Sequence, residues 1–325
     1  MNMFVTGSAG FIGSHLVEAL LEAGHDVKAL VRYNSRGSIG HLTFVPEKLR
    51  SRLTVVSGDV RDSEFIERHI GSGDTVFHLA ALIGIPYSYH APRSYVQTNI
   101  EGTLSVLEAC RKKGVRRLVV TSTSEVYGTA IYSPIDENHP LQGQSPYSAS
   151  KIGADKLAES YYRSFDLPVV TFRPFNTYGP RQSARAILPT IISQVLGGKN
   201  PIRLGSLTPQ RDLTFVTDTV DGFVRASQVP GIEGQVFHIG QGKAVSMGEL
   251  AKTVFAVLGS TTEIQCDDVR VRPEKSEVGL LLCQAEKAKQ VLGWQPRVTL
   301  EEGIRRTAEF IRANLGDYAL ETYSV

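Results

Sequence analysis

The chain has little cysteine, a single tryptophan, no excess of one charge sign and no long apolar run, and each shortage removes a class of explanation. Its three cysteines, Cys110, Cys266 and Cys283, are odd in number and far apart, and none has C-x-x-C spacing. Neither a disulfide framework nor a thiolate metal site is expected, and the thiols read as reduced and structural. A net charge of +2 leaves no electrostatic footprint for nucleic acid or an anionic membrane. The basic run RKKGVRR, Arg111–Arg117, reads as a solvated helix end. No run of about 18 apolar residues occurs, and the opening MNMFVTG has neither a charged n-region nor an apolar h-region. The expected location is the cytoplasm, with no membrane partner. Repeats and low-complexity tracts are also missing.

What is present is an ordinary globular composition, 42% hydrophobic and 21% charged over 325 residues, enough for a sizeable core. Strand-like runs (MFVTG, DVKALV, LTVVSGD, TVFHLAA, RRLVVTS) alternate with helical patterns (FIGSHLVEALLEAG, DSEFIERHI, SYVQTNIEGTLSVLEACRKKG). A further helix, SPYSASKIGADKLAESYYRSF, leads into PVVTFRPF. Such alternation predicts βαβ units, a doubly wound parallel sheet of Rossmann type. After about residue 175, Pro and Gly become frequent and the elements shorten. Capping boxes are expected at Ser246 with Glu249 and at Thr299 with Glu302. The expected division is a dinucleotide-binding domain over 1–175 and a smaller α/β substrate region over 176–325, part of which crosses back to the sheet.

GSAGFIG sets Gly7, Gly10 and Gly13 between the first strand and the first helix. Glycines let the chain turn tightly and bring the N–H groups of Phe11, Ile12 and Gly13 to a pyrophosphate at the helix start. At the end of the second strand, where an acid would hold a ribose 2′-OH, the chain offers Arg32, Ser35 and Arg36. The guanidinium groups favour a 2′-phosphate, hence NADP, whereas stacking of Arg32 on adenine leaves NAD open. Asp59 and Val60 would border the adenine, or Asp59 would cap the next helix.

YSASK places Tyr147 and Lys151 four apart, on one helix face. A free phenol titrates near ~10, and an ammonium with a positive nicotinamide beside it favours phenolate, so Tyr147 is a candidate base. TSTSEVYG, at the expected end of the RRLVV strand, puts Thr123, Ser124 and Glu125 where ligands of such sheets bind. The alternative for Glu125 is a solvated loop acid.

Together these motifs resemble the extended short-chain dehydrogenase/reductase family, in particular its nucleotide-sugar epimerases and dehydratases. TGSAGFIGSHL, GDVRD, HLAA, YVQTNIEGT, YSASK, RPFNTYGPRQ, RDLTFVTD and RPEKSEV carry the likeness over nearly the whole chain. It implies that Thr123 bonds the reacting sugar hydroxyl, Tyr147 transfers its proton and Lys151 binds the nicotinamide ribose. Leu79, Ala80, Ala81 and Asn99 would complete a site for NAD(P)+, tightly bound and recycled. Asn176, Arg211 and Arg272 match positions that contact the nucleotide diphosphate, and Glu277 a position for a ribose-binding acid. Arg185 is a further substrate candidate, as is Arg181. Ile85 and Tyr87, with Tyr89, would lie by the sugar.

Glu125 sets the expected reaction apart. Epimerising members usually carry a small or hydroxyl residue there, and dTDP-glucose 4,6-dehydratases a Thr-Asp-Glu triplet. GDP-mannose enzymes have Thr or Ser, a small residue, then Glu. Thr123-Ser124-Glu125 is closer to the last. The resemblance is strongest to bacterial, configuration-retaining UDP-N-acetylglucosamine 4,6-dehydratases of the legionaminic acid or bacillosamine type. It implies a 4-keto-6-deoxy product, with Glu125 removing the C5 proton. A UDP-sugar 4-epimerase and a non-catalytic NAD(P) or sugar-nucleotide sensor are the alternatives. Family members often dimerise through a helix bundle, so a homodimer is expected.

Overall fold

The computed structural model describes residues 1–271 and 273–318. The apolar runs of the first half form β1 (Asn2–Thr6), β2 (Asp26–Arg32), β3 (Leu53–Gly58), β4 (Thr75–His78), β5 (Arg117–Thr121) and β6 (Val169–Pro174). With the Val236–Ile239 strand they make a seven-stranded sheet whose neighbouring pairs are all parallel. From that added strand the order runs β6, β5, β4, β1, β2, β3. The direction of winding reverses between β1 and β4, the place where open α/β sheets leave a crevice.

Period-two side-chain alternation, with a core on each face, explains why the inner strands β1, β4, β5 and β6 are buried almost throughout. Met3 and Val5 enter the core on one face while Phe4 enters the other. On β5, Val119 joins the first core, and Leu118 and Val120 the second. The helix Phe11–Glu22 seals one face with Leu16, Val17, Leu20 and Leu21; Gly102–Lys113 seals the other with Val106, Leu107 and Cys110.

Two expectations change. The long helix expected from SYVQTN onward is broken into Pro92–Tyr95, a π-helical turn Val96–Glu101 and Gly102–Lys113. The wide turn carries Asn99, whose side chain is wholly buried and committed to partners outside the helix. Of the two expected capping boxes, Ser246 with Glu249 is complete. Thr299 accepts the Glu302 N–H, but Glu302 turns its carboxylate to Arg305 and Arg306 instead of back to the cap. The helix Pro146–Phe165 has its own box, formed by Ser145 and Ser148, which the S/T-x-x-E/Q pattern overlooks.

The second half is not a separate block. Its Val236–Ile239 strand completes the main sheet, and Arg181 reaches back to Glu18 at 2.7 Å. Smaller sheets form around the Gln210–Phe215 strand and by pairing of Ile202–Leu204 with Ile264–Cys266. Among the described residues no helix is long and apolar enough to cross a membrane, and no cluster of His, Cys, Asp or Glu is set to hold a metal.

Under the carboxyl end of β5 lies a buried ion pair. Asp155 Oδ2 accepts from Arg173 at 3.0 and 2.9 Å and from the Ser122 hydroxyl at 2.7 Å. Arg173 also donates to Tyr127 at 2.5 Å, and Tyr127 meets His238. Asp155→Ala strands the Arg173 guanidinium in the core, so an unfolding free energy lower by about 3–5 kcal/mol is expected in urea titrations. A loss under about 1 kcal/mol would mean that water or a neighbour takes over the charge.

Candidate active site

The first turn is built around space that only glycine leaves. Gly7 has φ +68°, and a Cβ there would stand 2.7 Å from the Ala80 nitrogen and the Leu79 carbonyl carbon. A Cβ on Gly13 would stand 2.2 Å from the Gly7 carbonyl oxygen. Gly10 caps the Phe11–Glu22 helix with extended backbone and no side-chain bond, and the first turn has no acid. The opening N–H groups at Phe11, Ile12 and Gly13 therefore face the crevice without a side-chain acceptor, an arrangement that fits a pyrophosphate.

Arg32, exposed, ends β2, and Ser35 and Arg36 lie exposed on the loop after it. Asn34, which sequence reading passed over, shapes that loop: its Oδ1 accepts from the Arg36 and Ser38 N–H groups, and its amide donates to the Ser38 carbonyl. Asp59 does not cap the following helix. Asp62 does, accepting from Phe65, while Asp59 forms a fork with Arg61 at 2.9 and 2.7 Å. Arg61, then Arg32 more weakly, hold the Asp59 carboxyl below its usual range. Val60 is buried against Gly102, so only its backbone can border an adenine.

At the neighbouring strand end, Leu79 and Ala80 donate their N–H groups to the Thr6 hydroxyl at 3.1 Å each. Asn99 spends its amide on the protein. It accepts from the Leu82 N–H at 2.8 Å, and donates to the Leu82 carbonyl at 3.0 Å and to Ser150 Oγ at 2.9 Å. It thus braces the loop beyond Ala81, and its side chain has no donor left for a cofactor.

Tyr147 and Lys151 rise from the start of the Pro146–Phe165 helix, both buried, against the end of β5. Lys151 Nζ donates to the Thr121 carbonyl at 2.6 Å, and the Tyr147 phenol lies close enough to the Thr123 hydroxyl for its pKa to be lowered by it. Residues two apart on the strand thus meet residues four apart on the helix. Asp155, one turn further on, belongs to the same stripe, and that spacing was the available signal for it. Burial pulls the Lys151 ammonium down and Asp155 opposes it.

The phenol is not primed in the protein alone. Burial pushes Tyr147 up, with Glu125, Tyr95 and Asp155 adding to the effect, while the Thr123 hydroxyl opposes it. The expected push toward phenolate came from the ammonium and a nicotinamide together; in the protein alone burial is the largest influence on the phenol, and the ammonium sits at the Thr121 carbonyl. Glu125 is half-buried in the turn Ser124–Tyr127, which Thr123 caps by accepting the Glu125 N–H at 3.2 Å. Its carboxylate is close enough to Tyr147 for its charge to raise the phenol's pKa. Ser124 is buried.

An aromatic step, also unforeseen, forms one wall. Tyr95 packs edge-on to Tyr147 with centroids 6.2 Å apart, and Tyr87 sits 6.2 Å beyond Tyr95. Ile85 is buried with Tyr95 and Tyr147, whereas Tyr87 is 41% exposed and open to a ligand. Arg185, exposed on the facing loop, acts on the Tyr95 phenol and comes near Gly84. Arg181 lies elsewhere: it is buried on Glu18 and Ser14, which removes it from the substrate candidates.

In the substrate half, Asn176 is half-buried and its Oδ1 has no protein partner. Arg211 and Glu277 are brought together at 3.1 Å. The Arg211 guanidinium also donates both Nη1 protons to the Gln210 and Val278 carbonyls and is 6% exposed, so these bonds fix its orientation while its Nε–H and one Nη2–H are not used in them. Arg272 lies outside the described residues.

An extended short-chain dehydrogenase/reductase is the class that this sheet order and these strand-end groups define. Comparison with known proteins narrows it: the chain belongs to the family described as GDP-mannose 4,6 dehydratase, which matches residues 4–307. It is an enzyme of the NAD-dependent sugar-nucleotide dehydratase and epimerase group. It is 35% identical to a UDP-glucose 4-epimerase of Mycolicibacterium smegmatis, over 96% of this chain and 99% of that one. It is 34% identical to a dTDP-glucose 4,6-dehydratase of Streptomyces antibioticus, over 97% and 93% of the two chains. Among solved structures, DesIV, a dTDP-glucose 4,6-dehydratase from Streptomyces venezuelae with NAD and TYD bound, superposes with a TM-score of 0.88 at 31% identity. That match covers 97% of this chain and 98% of the other.

The glycine cradle gives a direct test. Gly13→Ala forces the first turn open and is expected to weaken NAD+ binding at least about tenfold, with the circular dichroism spectrum unchanged. Unaltered affinity by fluorescence titration would separate this loop from the dinucleotide.

Proposed function

We propose that the chain is a nucleotide-sugar 4,6-dehydratase, acting on UDP-N-acetylglucosamine to give UDP-4-keto-6-deoxy-N-acetylhexosamine. The observation that carries this reading is Glu125, held by the Thr123-capped turn with its carboxylate acting on Tyr147. The choice of sugar and base rests on the sequence resemblance, and Asn176, Arg211, Glu277 and Arg185 are the proposed nucleotide and diphosphate contacts.

Thr123 and Tyr147 bracket the C4 hydroxyl, and Tyr147 takes its proton as the ketone forms. Bound NAD supplies the hydride acceptor, later the donor, and a positive ring beside the phenol. The ketone acidifies C5–H. Glu125 removes that proton, the C6 hydroxyl departs as water, and C6 receives the hydride while C5 regains a proton, balanced by the one Tyr147 took from the C4 hydroxyl. One water is lost and the cofactor ends in its starting state. Ser124 is no acid, so Glu125 must also deliver the proton to the departing hydroxyl. NAD is favoured over NADP because Asp59 sets a carboxylate beside Arg32, and because the Streptomyces relative was solved with NAD.

A 4-epimerase remains the second reading, since Thr123, Tyr147 and Lys151 suffice for it and one close relative has that name. Mass spectrometry after incubation with UDP-N-acetylglucosamine separates the two. Dehydration lowers the sugar's mass by one water and epimerisation leaves it unchanged. Glu125→Gln is expected to reduce water loss by about 100-fold or more while C4 oxidation persists. A fully active Glu125→Gln enzyme, or a product of unchanged mass, would sink the dehydratase reading.

A further inference from the structure

His78, the last residue of β4, is buried between the two halves of the site without touching either. Its Nδ1 lies 2.8 Å from Thr6 Oγ1 and its Nε2 2.9 Å from Thr103 Oγ1. Counting donors settles the proton positions. Thr6 Oγ1 already accepts from the Leu79 and Ala80 N–H groups, so its own proton points to His78 Nδ1. Nδ1 is therefore bare, and the ring proton sits on Nε2 and is donated to Thr103. Thr103 passes its proton to the Asn99 carbonyl at 2.6 Å. Asn99 donates to Ser150, and Ser150 donates to the Tyr147 carbonyl at 2.7 Å. Thr6, His78, Asn99, Thr103 and Ser150 are all at most 2% exposed.

The chain of bonds starts beside Gly7 and ends on the backbone of Tyr147. We propose that His78 is a positioning residue, a fixed neutral imidazole whose two nitrogens set the glycine-rich turn and the Tyr147/Lys151 helix in register. A protonated ring would lose the bond from Thr6 and place a second cation near Lys151. Burial and Lys151 both lower its pKa, to about 3, in keeping with a ring that stays neutral. The binding arm of the proposal rests on reading the Gly7–Gly13 loop as the NAD site.

Two variants divide the imidazole. His78→Asn keeps an oxygen where Nδ1 accepts from Thr6 but falls short of Thr103. His78→Gln keeps an amide that reaches Thr103 but leaves the Thr6 proton unmatched. NAD+ affinity is expected to fall about tenfold in His78→Gln and to stay within about threefold in His78→Asn, whose loss appears in kcat. Equal effects of both variants on binding and turnover, or no effect of either, overturn the proposal. The wild-type protein gives an independent readout: 15N-histidine spectra are expected to show one ring fixed as the neutral Nε2–H form from about pH 5 to 8. A titrating ring or the Nδ1–H form overturns it whether or not the variants fold. A wild-type chain that fails to bind NAD+ overturns the dinucleotide reading alone, and the spectrum still decides for His78.

Discussion

Everything in the site hangs on one carboxylate oxygen. Asp155 Oδ2 takes the Ser122 hydroxyl from the end of β5 and two N–H groups of Arg173 from β6, and thereby fixes the helix that carries Asp155 to both strands. Tyr147 and Lys151 stand on that helix, and Thr123 and Glu125 on the strand end. A buried ion pair of this kind yields little net stability, because desolvation consumes most of its attraction. Apolar residues of the same volume would hold helix and sheet together as well. What they lack is direction, since a charge with three convergent donors tolerates only one register of helix against strand.

The same constraint reaches the reacting turn. Arg173 extends from Asp155 to Tyr127, the last residue of the turn that begins at Ser124. Glu125 is therefore pinned at both ends, by the Thr123 cap and by the buried Tyr127. A carboxylate so held stays half-buried near a phenol that burial, with the carboxylate's charge adding to it, keeps protonated. That cost to the phenol marks a place where the fold serves chemistry rather than stability.

Local signals carried most of the fold. β-Branched runs, glycines at a strand-to-helix turn and the four-residue spacing of Tyr147 and Lys151 are short-range features, and each reports on its own segment. Pairings between distant segments were not legible. Nothing near Arg181 says that it is buried on Glu18, and nothing near Arg211 says that it is held by Val278 and Glu277. The π-helical turn escaped for a related reason: the apolar period around Asn99 is that of an ordinary helix. The departure is set by Leu82 and Ser150, which lie outside it. Asp59 shows a finer limit, since two aspartates three residues apart both suit a helix cap and only the packed structure selects Asp62.

Similarity alone leaves the reaction open, because an epimerase at 35% and a dehydratase at 34% identity stand almost equally near. The shared groups explain why. In either proposed reaction, removing hydride from C4 calls only on Thr123, Tyr147 and Lys151 around a bound dinucleotide, and both begin there. They part at the ketone. An epimerase must let the ketone present its other face, whereas a dehydratase must deprotonate C5 before that happens. A carboxylate on a turn fixed by Thr123 and Tyr127 suits the second requirement, and the first has no need of it, which is why the proposed dehydratase reading rests on Glu125. In the proposed dehydratase, with Ser124 beside it, the same carboxylate would first gain a proton from C5 and then give it up to the C6 hydroxyl. Proton removal and water loss thus fall to one group and take place on one side of the sugar.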